Sequence, residues 1–244
     1  MRLVQMLRGA ALGLALVAGV PAGSAMAQDA ATVPLAGDVY DRLFAVLNDD
    51  PDQLAARALS RVTVDLMVRE APELRVIEEE QPGFLAELAK AMQPLFISFS
   101  DRVSRQHGPA LVAQFRSTLS EADAAAIVEF YSSPLGQRVV RTTLRNQTVE
   151  MTSEEIWSDE AFTEADTERD MAATRDATLA ALSPADVEEV ERYMRQNPRV
   201  LDGIRRMRPL MITFRTAMDN EPFTPADDAA LSAALEEVFA RFGY

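Results

Sequence analysis

The sequence predicts an all-α protein, a multi-helix bundle built of short capped helices. Three observations carry that expectation. Helix-start patterns recur along the chain, a serine, threonine or aspartate followed three positions later by an acid or glutamine. Apolar residues recur at steps of three and four, the spacing of one helical face. No run sustains the alternation of a half-buried strand, and ten glycines in 244 residues are too few for a turn-rich all-β fold.

In chain order, residues 1–27 read as a cleavable signal peptide. Arg2 and Arg8 precede an apolar run from Gly9 to Val20, and Ala25-Met26-Ala27 offers the small residues of a cleavage site. The run is shorter than the roughly 20 residues a membrane span needs. No cysteine follows it, so the signal is not of the bacterial lipid-anchored type. The expectation is a periplasmic or secreted protein with no transmembrane segment after signal removal. Asp50-Pro51-Asp52-Gln53 reads as the first capped start, with Pro51 opening the helix. Leu85, Leu88, Met92, Leu95, Phe99 and Val103 then make one apolar stripe, with Pro94 expected to kink or split it. Arg105-Gln106-His107-Gly108-Pro109 reads as a helix end. Ser120-Glu121-Ala122-Asp123, Ser183-Pro184-Ala185-Asp186 and Thr224-Pro225-Ala226-Asp227 are three further capping boxes. Asn197-Pro198 opens the helix whose stripe is Val200, Ile204, Met207, Met211, Phe214 and Met218, interrupted by Pro209. Core packing explains that methionine-rich stripe more simply than a ligand groove does. Leu231, Leu235, Val238 and Phe242 close the chain.

Beyond the signal, the chain divides into a helical domain at 28–150 and a second helical half at 151–244, separated near TSEEIWSDEAFTEAD, which is polar and acidic. LSEADAAAIVEFY (119–131) and LSPADVEEVERYM (182–194) align without gaps, Ile127 over Val190 and Phe130 over Tyr193. Two explanations stand: a diverged internal repeat, or shared helix-start chemistry alone.

The stretch FYSSPLGQR (130–138) reads as a corner between two helices. One helix ends near Ser132, Ser133 caps the next, Pro134 takes its first position and Leu135 turns inward. Gly136 is a poor helix former placed where a neighbouring ring or backbone comes close, and Phe130 and Tyr131 are the natural neighbours. The residues Phe130, Tyr131, Ser133, Pro134, Gly136, Gln137 and Arg138, preceded by Leu119-Ser120-Glu121-Ala122-Asp123, resemble the signature of the domain-of-unknown-function family twenty fifty-nine, small exported bacterial proteins. The resemblance covers roughly residues 85 to 150. It implies an all-helical periplasmic protein and no particular reaction. The family often carries a proline near position 144; Thr143-Leu144-Arg145 has none, so the helix after the corner is expected to run longer.

Little else looks like chemistry. His107 is the only histidine and there is no cysteine, which removes the nitrogen–sulfur zinc sites and most histidine-based catalysis. No calcium loop, phosphate loop, dinucleotide fingerprint or nucleophile elbow appears. No catalytic residue, metal site or cofactor is assigned. Adjacent acids such as Glu78-Glu79-Glu80 read as solvated faces; Glu155 beside Trp157 is the one candidate for a glycan-cleaving carboxyl.

The formal charge of −14 argues against nucleic acid as a partner. Removing residues 1–27 takes away two arginines and no acid, moving it to −16. Lys90 is the only lysine, a bias that points to a GC-rich genome rather than a function. The one basic stretch holds Arg192, Arg195, Arg199, Arg205, Arg206 and Arg208. If it binds an anion, Arg195, Arg199 and Arg206 are the candidates, beside the Asn197-Pro198 helix start. Pairing with acidic helices is the simpler expectation, with Arg205 and Arg208 bound to acids. The expected function is therefore a non-enzymatic interaction or ligand-binding module of the cell envelope, partnered by an envelope protein or an anionic ligand. The alternative is a glycan-acting envelope enzyme using a single Glu.

Overall fold

The computed structural model describes residues 37–147 and 161–244. The signal segment, the 150–160 boundary and the Glu155–Trp157 candidate lie outside them. Ten helices and no strand occur among the described residues: α1 (Val39–Leu47), α2 (Leu54–Glu70), α3 (Glu73–Glu80), α4 (Phe84–Thr118), α5 (Glu121–Ser132), α6 (Pro134–Arg145), α7 (Glu164–Ala181), α8 (Pro184–Gln196), α9 (Pro198–Asp219) and α10 (Pro225–Arg241). The all-α bundle is thus the fold. None of these helices is long and apolar enough to cross a membrane.

α4 is the axis. α1, α2, α3, α9 and α10 all pack on it, and α5 bridges α1 and α9. Its stripe is buried as its spacing implies: Leu88, Met92, Leu95, Phe99 and Val103 are all in the core, joined by Phe84, Phe96 and Phe115. Phe239 and Phe242 meet the Phe84 ring edge-on at 5.3 and 5.4 Å. Val200, Met207, Met211, Phe214 and Met218 of α9 enter the same core, as do Leu231, Leu235 and Val238 of α10. One contiguous core therefore draws on residues before and after the 150–160 boundary.

Most caps form where the sequence places them. Ser120, Ser183 and Thr224 accept hydrogen bonds from the N–H groups of Asp123, Asp186 and Asp227. Thr163 adds another box with Asp166. Three expectations need correction. Asp50 does not cap the residue after Pro51; the chain makes one more turn, Gln53 adopts φ 54°, and the buried Asp50 carboxylate accepts from Leu54 N and Ala55 N, both at 2.8 Å. His107-Gly108-Pro109 is not a helix end, because α4 continues through both Pro94 and Pro109 to Thr118. α9 likewise runs on through Pro209. Proline removes one hydrogen bond per site, and burial along both flanks of such long helices outweighs that loss. His107 Nε2 lies 3.1 Å from Glu221 Oε2. Gly108 is needed at mid-helix for packing, since an added Cβ would come within 2.8 Å of the Phe44 ring tip.

α3 supplies the cap that α4 lacks. Gly83, at φ 99°, precedes α4 without a side chain, and Glu78 reaches across to accept from Gly83 N and Leu85 N at 3.0 and 2.8 Å. Those two backbone donors hold the Glu78 carboxyl below its ordinary value.

Candidate functional site

The corner at 130–138 is built from the residues its sequence singles out. Phe130 is buried, with its ring centroid 5.0 Å from those of Tyr131 and Tyr193. The Ser133 hydroxyl accepts from Gly136 N at 3.0 Å and donates to Phe130 O at 2.6 Å, so it begins α6 and closes α5 together. Gln137 Nε2 donates to Tyr131 O at 2.7 Å, satisfying a second terminal carbonyl of α5. Pro134 occupies the first turn of α6. Gly136 is buried, and a Cβ there would fall on the Phe130 carbonyl oxygen and lie 2.7 Å from Tyr131 Cα. Backbone meets backbone at this point, which only glycine permits. Arg138 then ties the corner to α8, bonding Asp186 at 3.0 Å and Glu189 at 2.7 Å.

The basic stretch is paired throughout. Arg192, Arg195 and Arg205 lie 4.0, 3.3 and 3.5 Å from acids one turn away on their own helices. Arg199 and Arg206 converge on one carboxylate, Asp123, at 3.6 and 2.8 Å. Arg208 reaches Glu168 of α7 at 2.6 Å. The three anion-binding candidates are therefore not brought together: Arg199 and Arg206 dock α9 on α5, while Arg195 stays with Glu191. Asp123 is held below the ordinary aspartate value, first by the Ser120 hydroxyl and then by Arg206.

What the corner leaves over is Tyr131. It packs beside a small satellite core of Leu54, Ala55, Val140 and Leu144, and it lines a cavity of about 380 Å³ bounded by α6, α7 and α9. Leu144, Met171, Ile204, Met207 and Met211 supply apolar wall; Arg175, Arg205 and Arg208 are the charged members, and no carboxylate is among the lining residues. Burial alone pushes the Tyr131 phenol up to about 12, so it stays neutral and keeps its proton at any physiological pH. Its hydroxyl has no hydrogen-bond partner among the described residues. A second cavity of about 340 Å³ lies on the α8 side and shares Val139, Thr143, Met171 and Arg175 with the first. Its lining includes Gln147, whose Oε1 is buried without a hydrogen-bond partner among the described residues. The one carboxylate there, Glu191, is exposed and bound to Arg195.

The rooms exist because α7 is poorly furnished with bulk. Its only large apolar side chains are Met171 and Leu179, and its buried positions are Thr167, Asp170 and Thr178. Neither cavity was visible in the sequence. The signal that points to them is a helix of 18 residues whose buried positions are two threonines and an aspartate, opposite an α6 that buries Leu135, Val140 and Leu144. Among the described residues, no group of three or more His, Cys, Asp or Glu is placed to hold a metal ion.

Residues 108–164 match the family model described as an uncharacterized protein conserved in bacteria (DUF2059). The match begins inside α4, takes in α5, the corner and α6, and ends at the first residue of α7. It supports the resemblance drawn from the FY-x-SP-x-GQ-R residues. Neither a curated protein nor a solved structure matches the chain.

Proposed function

We propose that the protein is an exported, non-enzymatic ligand-binding module of the cell envelope, and that its ligand enters the cavities on α6 and α7. The observation that carries this proposal is the pair of adjoining, mainly apolar cavities of about 380 and 340 Å³ that share one wall. Volumes of this size fall in the range of small-molecule sites, which combine apolar walls with a few placed polar groups. The amino-terminal pattern of Arg2, Arg8 and the Gly9–Val20 run supports export.

The glycan-cleaving alternative finds less support. A general acid needs a carboxyl with a raised pKa set in a cleft. Burial raises Asp101 and, with help from the neighbouring Asp50, Asp49. Neither lines either cavity.

Two measurements test the proposal. Expressed with its own first residues, the chain should appear in the osmotic-shock fraction with an intact mass lacking residues 1–27; retention of the full-length chain in the cytoplasm overturns export. The mature protein should bind a neutral naphthylamine dye saturably, and Ala172→Leu, which places bulk in the larger cavity, should weaken that binding. A dye that does not bind, or binds unchanged to the variant, overturns the assignment of the cavities as the site.

A further inference from the structure

The larger cavity has two unlike ends, and the difference names a ligand. Its body is mainly apolar: Leu144, Met207 and Met211 against Met171 and the ring of Tyr131. Methionine in such a wall adapts to a flexible chain better than branched residues do. Its charged members are all arginines, and their side chains are exposed to solvent: 60% for Arg175, 69% for Arg205 and 55% for Arg208. These three therefore stand at the rim, with the apolar wall behind them. In a chain carrying 38 acids to 24 bases, a cavity lined by three arginines and no carboxylate is a local reversal of charge.

Each rim arginine is already paired, and the pairs leave capacity. Among the described residues Arg175 pairs with its chain neighbour Asp176, through Nε at 2.9 Å and a terminal nitrogen at 2.8 Å. Arg205 reaches Asp202 through one nitrogen at 3.5 Å, and Arg208 reaches Glu168 through one nitrogen at 2.6 Å. A guanidinium carries five N–H donors in a planar fork. A second anion can bind to such a group without displacing the first. Exposed pairs of this kind contribute little to stability, so they are readily shared.

Resting on the proposal that these cavities bind a ligand, we infer that the ligand is a single-chain anionic amphiphile, its acyl chain lying along Tyr131, Leu144 and Met211 and its carboxylate or phosphate head held at Arg175, Arg205 and Arg208. The apolar body accounts for the room that α7 leaves beside Tyr131, Met207 and Met211. The rim explains why three arginines and no carboxylate line this cavity in a chain of net negative charge. Tyr131, neutral and without a hydrogen-bond partner among the described residues, offers the chain an aromatic face and one O–H donor.

Competition against the neutral dye on the mature protein tests this directly, with three probes: decanoate, decanol and lysophosphatidylglycerol. Both anions should displace the dye, and decanol should compete at least about tenfold less well, because it cannot form charge-assisted hydrogen bonds with the rim. Shortening the acid by two methylenes should cost roughly tenfold. Arg175→Glu with Arg205→Glu, at two exposed positions that pair only within their own helices, should weaken both anions about tenfold and leave decanol unchanged. Arg175→Gln with Arg205→Gln should act in the same direction without reversing charge. Displacement by decanoate alone, or by the lysolipid alone, supports the inference and identifies the head as carboxylate or phosphate. Equal competition by decanol and decanoate, or arginine variants that bind anions as the wild type does, overturns the anionic head while dye binding keeps the cavities as the site. Failure of the dye itself to bind removes the site and this inference together.

Discussion

Around α4, Phe84, Phe96, Phe99, Phe115 and the Phe130 of α5 are at most 2% exposed, whereas α8 buries no residue at all. A serine or threonine start with an aspartate three residues on occurs in both regions, at Ser120–Asp123 beside α4 and at Thr163–Asp166 and Ser183–Asp186 on the other side, while α4 itself has no side-chain cap of its own. Caps therefore do not decide how tightly a helix packs. The difference lies in the inward faces. α4 buries phenylalanine, leucine, methionine and valine along most of its length, while α7 buries Thr167, Asp170 and Thr178, and the bundle closes around the first and stays roomy beside the second.

Several changes would break or sharpen that contrast. The largest effect is expected in the tight region: Phe115→Ala should cost about 3–5 kcal/mol of unfolding free energy, against about 1 kcal/mol or less for Val139→Ala in the cavity wall, measured by chemical denaturation. Equal losses at the two sites would show that the wall is as closely packed as the core. Next come two glycines in helices. Gly136→Ala should destabilise by about 1–3 kcal/mol, because its Cβ meets a backbone carbonyl that cannot move alone. At Gly108→Ala the obstacle is the tip of the Phe44 ring, and a gain of up to about 1 kcal/mol in helix propensity offsets it, so the melting temperature should hardly change.

A smaller and opposite effect is expected in the flank. Ala172→Leu should raise stability by about 0.5–1 kcal/mol while it weakens dye binding, the usual relation when a functional void is filled. A loss of stability would mean that the cavity is smaller than its shape suggests. The smallest effect concerns acid. Hydrogen bonds from Ser120 and Arg206 hold Asp123 below the ordinary aspartate value of 3.8, the Thr163 hydroxyl does the same for Asp166, and the Ser183 hydroxyl for Asp186. Asp227 is also lowered, although burial, the largest influence on it, acts the other way. A folded value below the unfolded one contributes stability that is present above the ordinary carboxylate range and lost as pH falls through it. Stability should therefore fall with acidification below about pH 4, and Asp123→Asn should make that fall shallower. A variant with an unchanged pH profile would show that this carboxylate is not coupled to folding.

How much of this was written legibly in the chain varies with range. Caps and stripes are local, so the Ser120 box, the α9 methionines and the need for glycine at 136 could be read from a few adjacent residues. The misread places depend on partners far away or on one extra turn. Asp50 caps α2 across a left-handed Gln53 that no short pattern announces. His107 sits mid-helix because packing beyond it, Gly108 on the Phe44 ring of α1 and Leu111, Val112 and Phe115 in the core, carries α4 past Pro109. The cavities were the least legible, since a void is made of what α7 lacks, and Arg175 looked like any exposed charge until Arg205 and Arg208 were folded beside it. The corner residues join α5 to α6 through Ser133, and Tyr131 of the same stretch also lines the larger cavity.

The aspartates at helix starts answer to two masters. Asp123 accepts from Ser120 three residues away and from Arg206 eighty-three residues away; Asp227 accepts from Thr224 and from Arg102; Asp186 from Ser183 and from Arg138. The nearby bond needs almost no loop closure, so it can form in a helix that is still undocked. Once formed, it fixes a carboxylate at a known height and angle on the helix end, ready for an arginine from another helix. Alignment between distant helices is thus set by short words in the sequence, each only four residues long. A chain that kept those words could change its helix faces freely without losing track of which helix lies against which.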